Sequence, residues 1–66
     1  MLSARNQFQG KIKSVKLGNV MAEVSVNVGG LEVVSAITRT SAEQMGLKVG
    51  DDVTAVIKST EIMIEK

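Results

Sequence analysis

The sequence has no cysteine, no histidine and no proline, and Phe8 is its only aromatic residue. Without cysteine there can be no disulfide and no thiolate metal site. Without histidine, the commonest general base and metal ligand of proteins is missing. Single-stranded nucleic acid is usually held by stacking bases on aromatic side chains, and one phenylalanine offers little for that. We therefore expect no catalytic residues, no metal-cation site and no nucleic-acid partner.

Strong charge and long apolar runs are also missing. The net charge is +1 over 66 residues, which is no basic surface for a phosphate backbone. No apolar run approaches the ~18 residues of a transmembrane span, and Ser3, Arg5 and Asn6 interrupt any signal-peptide core. These features predict a cytoplasmic protein, not an enzyme, that does not associate with membranes. A chain of this length forms one domain at most, and small domains without disulfides often gain stability by oligomerising.

What the sequence does contain is alternation typical of β-strands. The apolar residues Val20, Ala22, Val24, Val26 and Val28 share one face of a strand, and polar residues separate them. The glycine pair 29–30 then predicts a hairpin turn into a strand over 31–38. An earlier strand is predicted over 6–16, with a bulge or bend at Gly10.

The period changes after residue 38. The segment 40–45 reads as a short helix, with Thr40 and Glu43 as a capping box and Gly46 as its stop. Two further strands are predicted over 53–58 and 61–65. A short helix between the third and fourth of five strands is the arrangement of an OB fold. The sequence thus predicts an all-β, OB-like five-stranded barrel, and small OB barrels keep nucleic-acid binding as the alternative function.

Hydrogen-bond donors suited to a small oxyanion occur in three places. Ser3, Ala4 and Arg5 precede the first strand, Thr38 and Ser41 surround the helix start, and Lys58 and Ser59 follow the fourth strand. Charge-assisted hydrogen bonds contribute about 1.5–3 kcal/mol each, so a few of them suffice for micromolar binding. Each residue also has a structural interpretation: Arg5 as a solvated charge, Thr38 as a helix cap, Lys58 as a strand end, and Asn6 as a support for the strand start.

The order of these pieces resembles the molbindins, or Mop proteins, which are small molybdate-binding proteins with a TOBE or OB-like domain. The resemblance covers nearly the whole chain, as a single Mop domain over residues 1–66. It is carried by Ser3-Ala4-Arg5-Asn6, Gly10, Gly18, Ala36-Ile37-Thr38-x-x-Ser41, Leu47-x-x-Gly50 and Val53-x-Ala55-x-Ile57-Lys58-Ser59-Thr60.

The resemblance implies intracellular binding and storage or homeostasis of molybdate, and also tungstate, by a hexamer built as a trimer of dimers. The oxyanion sites would lie between subunits. A second anion site is implied at the turn of Gly18, Asn19 and Val20. No organic cofactor is expected, because the chain has no aromatic pair to sandwich a pterin ring. The implied oxyanion ligands are Ser3, Ala4, Arg5, Thr38, Ser41, Lys58 and Ser59.

Overall fold

The computed structural model describes residues 4–66 as an antiparallel sheet with one short helix. The sheet order is β3-β2-β1-β4, so β1 is paired on both sides. The third strand has the predicted bounds, the first and second differ from prediction by one residue at one end, and the fourth is shifted by one residue at both ends. The elements are β1 (Asn6–Leu17), β2 (Met21–Val28), β3 (Leu31–Thr38), α1 (Arg39–Met45), β4 (Asp52–Ile57) and a 3-10 turn (Ser59–Glu61).

The predicted face of β2 forms the core. Ala22, Val24 and Val26 are buried, and Ile12 of β1 packs against the two valines. Around this cluster lie the half-buried side chains of Val15, Val28, Ile37, Leu47 and Val53. The core is small because alternate residues of each strand face away from it.

The bend in β1 lies at a different residue from the one predicted. The register runs from Ile12 opposite Val26 directly to Ser14 opposite Ser25, which leaves Lys13 as the extra residue of a β-bulge. Gly10 has another role, because a Cβ there would lie 2.4 Å from the carbonyl oxygen of Asn27. The glycine therefore permits close approach of β2 rather than forming the bulge.

The hairpin between β2 and β3 forms as the sequence predicts. Gly29 and Gly30 have φ angles of 54° and 87°, which only glycine adopts at low cost. The Asn27 Oδ1 atom accepts a hydrogen bond of 3.1 Å from the Gly30 amide. From this turn β2 and β3 pair without interruption, from Val28 opposite Leu31 to Met21 opposite Thr38.

The helix begins earlier than predicted, so the capping box of Thr40 and Glu43 is wrong. The N-cap is Thr38, whose Oγ1 accepts a hydrogen bond of 3.1 Å from the Ser41 amide. The mistake arises because positions 38 and 40 both hold a threonine, either of which could cap a helix, and Thr40 lies inside the helix instead. The stop at Gly46 is as predicted, with a left-handed φ of 61°.

Replacing the two threonines separately distinguishes the two caps. We expect Thr38→Ala to lower the free energy of unfolding by about 0.5–2 kcal/mol, because it leaves a helix-end amide without its acceptor. Thr40→Ala removes a hydroxyl of similar size from an exposed helix position and should cost no more than about 0.5 kcal/mol. Urea unfolding followed by circular dichroism measures both. A larger loss for Thr40→Ala would contradict the assigned cap.

The fifth predicted strand, over 61–65, is not formed within a single chain. Residues 59–61 form a 3-10 turn instead, and residues 62–66 pair with no strand in the described part of the chain. Ile64 is 90% exposed, so the segment has no apolar surface of its own chain to cover it. The described residues also include no helix long and apolar enough to cross a membrane.

Candidate anion-binding site

The pairing of β1 with β4 brings two of the three predicted donor segments together. The last bridged pair is Asn6 opposite Ile57, and the Asn6 Nδ2 atom donates a hydrogen bond of 3.3 Å to the Ile57 carbonyl. Asn6 thus supports the start of the strand, as its structural interpretation predicts. Arg5 precedes Asn6 and Lys58 follows Ile57, so both cations flank this last pair, with Ala4 and Ser59 one residue further from it along the chain. We call Ala4, Arg5, Lys58 and Ser59 the strand-end cluster.

The two cations of the strand-end cluster are not neutralised within residues 4–66. Ion pairs there join Lys11 to Asp52, Lys13 to Glu32 and Arg39 to Glu43, at 2.7, 3.1 and 3.4 Å. Arg5 and Lys58 belong to none of these pairs, and both side chains are exposed. Two adjacent positive charges at one end of a ladder form a local site that attracts an anion.

Local hydrogen bonds fix the backbone of the strand-end cluster and leave its cationic side chains available. The Lys58 carbonyl accepts a bond of 2.9 Å from the Glu61 amide, which closes the 3-10 turn. The Ala4 carbonyl accepts a bond of 3.0 Å from the Gln7 side chain. The side-chain hydrogen bonds found within residues 4–66 do not involve Arg5, Lys58 or Ser59. Ser3 lies outside the described residues.

Thr38 and Ser41 lie at the other end of β1 in the same chain. Thr38 pairs with Met21, close to where β1 ends at Leu17 opposite Ala22. The Thr38 hydroxyl donates a bond of 2.8 Å to the Ser41 hydroxyl, so the two side chains hold each other at the helix start. One chain therefore does not bring them to Arg5 and Lys58, because the twelve residues of β1 lie between the two groups.

The predicted second anion site lies beside Thr38. The amide of Gly18 donates a bond of 2.8 Å to the Met21 carbonyl, which closes the turn through Asn19 and Val20. All three turn residues are exposed. Gly18 is required there for space, since a Cβ would lie 2.9 Å from the Met21 carbonyl oxygen.

The sequence reasoning missed Arg39, which is tied to this turn by two hydrogen bonds and to its own helix by an ion pair. Its amide donates a bond of 2.8 Å to the Val20 carbonyl, and its Nη1 atom donates one of 3.2 Å to the Gly18 carbonyl. Its Nε atom lies 3.4 Å from a carboxylate oxygen of Glu43, one helical turn later. The available signal was its position between Thr38 and Ser41, inside a segment already singled out. We call residues 18–20, 38, 39 and 41 the turn cluster.

Neither of two cavities within residues 4–66 is lined by a predicted oxyanion ligand. An open groove crosses β1 and β4 at Gly10, Lys11 and Asp52. An apolar cavity of about 360 Å³ lies between β3 and β4. The strand-end cluster is therefore an exposed patch in a single chain rather than an enclosed pocket.

Comparison with known proteins identifies the family. The TOBE domain matches residues 2–64 of this sequence. The chain belongs to the TOBE domain family. Within that family, Molybdenum-pterin-binding protein 3 of Clostridium pasteurianum is 52% identical to it over 64 residues, covering 96% of this chain and 94% of that protein.

Two solved structures share the fold. A molybdate-binding protein from Sporomusa ovata is 38% identical, with a TM-score of 0.96 over 100% of this chain and 98% of that one. The cytoplasmic molybdate-binding protein ModG, solved with molybdate bound, is 42% identical, with a TM-score of 0.85 over 89% of this chain and 43% of that one. The resemblance to the molbindins and the OB-like fold are thereby confirmed, with four strands rather than five in the single chain.

Proposed function

We propose that this TOBE protein binds molybdate, and also tungstate, as an intact oxyanion, and that it serves in storage or homeostasis of the metal in the cytoplasm. The observation that carries the proposal is the strand-end cluster, where Arg5 and Lys58 flank the last bridged pair of β1 and β4 without an acidic partner in the described residues. The similarity to proteins named for molybdate binding supports the same ligand. In this proposal residues 1–66 act as one Mop domain, a binding protein and not an enzyme.

The chemistry of the cluster suits a tetrahedral dianion. The Arg5 guanidinium offers several N–H donors in a planar fork, and the Lys58 ammonium offers three more. Ser59 adds a hydroxyl donor and Ala4 a backbone N–H donor. Ser3 is the remaining donor of this group that the sequence predicts. Micromolar affinity corresponds to about 8 kcal/mol, which three to five charge-assisted hydrogen bonds can supply after desolvation is subtracted. Sulfate has the same charge and shape, so selectivity must come from the size of the enclosed site.

We further propose that the site is closed by a neighbouring subunit, in a hexamer arranged as a trimer of dimers. An anion on an exposed patch would keep most of its water and gain little from each charge. A second copy that covered the strand-end cluster would exclude that water and strengthen each hydrogen bond. It would also allow Thr38 and Ser41 of one chain to approach Arg5 and Lys58 of another, which one chain alone does not achieve.

A second anion site at the turn cluster follows from a separate observation. Arg39 is held against the carbonyls of Gly18 and Val20, so a cation is fixed beside the turn that the family resemblance singled out. Glu43 offsets part of its charge, so we expect weaker binding here than at the strand-end cluster. We propose that this site fills only after the first.

We propose that the ligand is the oxyanion alone, without pterin, although one relative is named a molybdenum-pterin-binding protein. A pterin ring would need aromatic faces to stack on, and the chain has only Phe8. The same shortage argues against the alternative of a nucleic-acid-binding OB module, which also needs a positive groove. The net charge of +1 supplies none.

Calorimetric titration with molybdate, combined with native mass measurement, tests the proposed function. We expect micromolar or tighter binding of molybdate and tungstate by an assembled protein, unaffected by equimolar sulfate. Titrations with a pterin and with a single-stranded oligonucleotide should release no heat of binding. Equal affinity for sulfate and molybdate would mean incidental anion binding, and tight oligonucleotide binding would support the rival function.

We expect the affinity for molybdate to be nearly constant between about pH 6 and about pH 8, because the chain has no histidine to titrate in that range. Calorimetry at three pH values in buffers of equal ionic strength measures this. The assembly must be intact at each pH, which native mass measurement checks. A tenfold change in affinity at constant assembly would contradict the proposed set of donors.

A further inference from the structure

A side-chain amide holds the peptide unit that leads into Lys58. The Ile57 carbonyl accepts a hydrogen bond of 3.3 Å from the Asn6 Nδ2 atom, across a separation of 51 residues in the chain. A peptide unit is planar, so a bond to its carbonyl also fixes the amide of the next residue. The following unit is held as well, because the Lys58 carbonyl accepts a bond of 2.9 Å from the Glu61 amide. These two units set the φ and ψ of Lys58 at −66° and 140°, and with them the direction in which its side chain leaves the backbone.

The peptide unit that leads into Arg5 is held in the same manner. The Ala4 carbonyl accepts a hydrogen bond of 3.0 Å from the Gln7 Nε2 atom. The unit that follows Arg5 enters β1, where Asn6 is bridged to Ile57. Two neighbouring residues of β1 therefore each hold the carbonyl that lies just before one of the two cations.

Both side-chain bonds lie outside the backbone ladder of the sheet. That ladder ends at Asn6 opposite Ile57, and the two amides act on carbonyls at or beyond this end. Successive residues of a strand point to opposite faces, so Asn6, which is half-buried, and Gln7, which is exposed, act on opposite faces of β1. Gln9 lies on the same face as Gln7, yet it forms no side-chain hydrogen bond within residues 4–66.

A fixed backbone matters for an anion that two cations bind together. Any freedom of the segments that carry the cations must be lost on binding, which weakens the affinity, and holding the segments beforehand removes that loss. Within residues 4–66 no carboxylate is paired with Arg5 or Lys58, so no ion pair orients them. The carbonyl contacts are what the described chain offers in place of ion pairs.

We propose that Asn6 and Gln7 are positioning residues of the anion site, and that neither touches the anion. Gln7 acts through Arg5, whose backbone it orients, and Asn6 acts through Lys58. The inference rests on the proposed function for the identity of the ligand, a tetrahedral dianion. The orientation of the two cations is a property of the protein without ligand, so it can also be tested on its own.

Molybdate calorimetry on paired variants tests whether Gln7 acts through Arg5. Gln7→Met keeps the length of the side chain and removes its N–H donors. We expect it to weaken molybdate binding by roughly threefold to tenfold, the range that one net hydrogen bond covers. Gln9→Met makes the same change on the same face of β1 and should leave the affinity within about twofold.

The Arg5→Ala background distinguishes positioning from a general distortion of the site. Once Arg5 is removed, Gln7→Met should have no further effect on the affinity, because the group that it orients is gone. Equal losses in both backgrounds would overturn the positioning role of Gln7, since a distortion acts whether or not the guanidinium is present. Native mass measurement and urea unfolding without ligand check that each variant is folded and assembled.

Asn6→Leu supplies the crossed comparison, because it removes the amide at nearly constant size. We expect its effect on molybdate affinity to persist in the Arg5→Ala background and to vanish in a Lys58→Ala background. The opposite pattern, or a loss in both backgrounds, would overturn the assignment of Asn6 to Lys58. Gln7 is exposed and its replacement buries nothing, so the Gln7 variants decide the proposal if Asn6→Leu does not fold.

Backbone relaxation measured by NMR without ligand separates this proposal from the proposed function. Order parameters of about 0.85 mark rigid backbone, and values below about 0.6 mark flexible backbone. We expect Gln7→Met to lower the order parameter of the Arg5 amide and to leave that of Lys58 unchanged, and Asn6→Leu to do the reverse. This result in a protein that binds no molybdate would overturn the function alone. Molybdate binding with an Arg5 amide that stays rigid in Gln7→Met would overturn the positioning alone.

Discussion

Replacing Arg5 with alanine should weaken molybdate binding by roughly tenfold to 150-fold. A hydrogen bond to a charged group contributes about 1.5–3 kcal/mol, and each 1.4 kcal/mol is a factor of ten in the dissociation constant. In the strand-end cluster Arg5 is one of two cations without an acidic partner in the described residues, so no other contact of the guanidinium is lost. Calorimetric titration of the two proteins at the same ionic strength gives the ratio.

Lys48→Ala provides a matched control for charge. Lys48 is exposed in the connection between α1 and β4, and its side chain forms none of the ion pairs within residues 4–66. Removing it lowers the net charge by the same single unit as Arg5→Ala, so a general electrostatic effect would weaken both variants equally. We expect the affinity of Lys48→Ala to stay within about twofold of the unaltered protein, because long-range attraction is screened by salt.

Arg5→Lys separates the charge of Arg5 from its geometry. A lysine keeps the positive charge but loses the planar fork that matches two oxygens of one anion. We expect an affinity between those of the unaltered protein and Arg5→Ala. If Arg5→Ala and Lys48→Ala had the same affinity for molybdate, the assignment of Arg5 as a ligand would be wrong.

The sheet could be predicted because its determinants are local. The alternation specifies which face of β2 is buried, and Ala22, Val24 and Val26 are buried as predicted, whereas Val20 lies in the turn before β2 and is 72% exposed. The glycine pair 29–30 fixes the hairpin by its positive φ angles, so β3 has the predicted bounds. Such patterns can be interpreted without knowing which distant segments of the chain come into contact.

Features that depend on contacts between distant segments were predicted less well. The bulge lies at Lys13 rather than Gly10, since its place is set by how β1 pairs with two different strands. The fifth strand is not formed in the described chain, where Met63 and Ile64 remain 93% and 90% exposed. Both predictions failed because each depends on pairing with a segment that is not adjacent in sequence.

The candidate site was also predicted only in part. Sequence order suggests Arg5 and Lys58, and the pairing of β1 with β4 brings both to the same end of the sheet, although they are distant in the chain. Thr38 and Ser41 were named for the same pocket, yet they lie at the other end of β1 within one chain. Arg39 was missed because its contacts with Gly18 and Val20 appear only when the strands are folded. The role of each of these residues in anion binding stays a prediction.

Gly10→Ala should cause a large loss of stability although it leaves the charges unchanged. The added Cβ would lie 2.4 Å from the Asn27 carbonyl oxygen and 2.9 Å from methyl groups of Val26 and Val28. Carbon and oxygen atoms normally approach no closer than about 3.3 Å, so β1 and β2 would have to separate by close to 1 Å. Backbone cannot rotate away as a side chain can. Overpacking of this kind costs roughly 1–3 kcal/mol, a large part of the stability of so small a domain.

Gln9→Ala is the matched control for this prediction. Gln9 is the exposed neighbour of Gly10 in β1 and pairs with Thr54 of β4, so its replacement changes the same strand without entering the gap between β1 and β2. Its stability should stay within about 0.5 kcal/mol of the unaltered protein. Urea midpoints at one protein concentration compare the variants, because an assembled protein unfolds in a concentration-dependent way. Gly10 does not have a positive φ, so the requirement for glycine is one of space. A Gly10→Ala protein as stable as Gln9→Ala would mean that β1 and β2 are not in such close contact at this point.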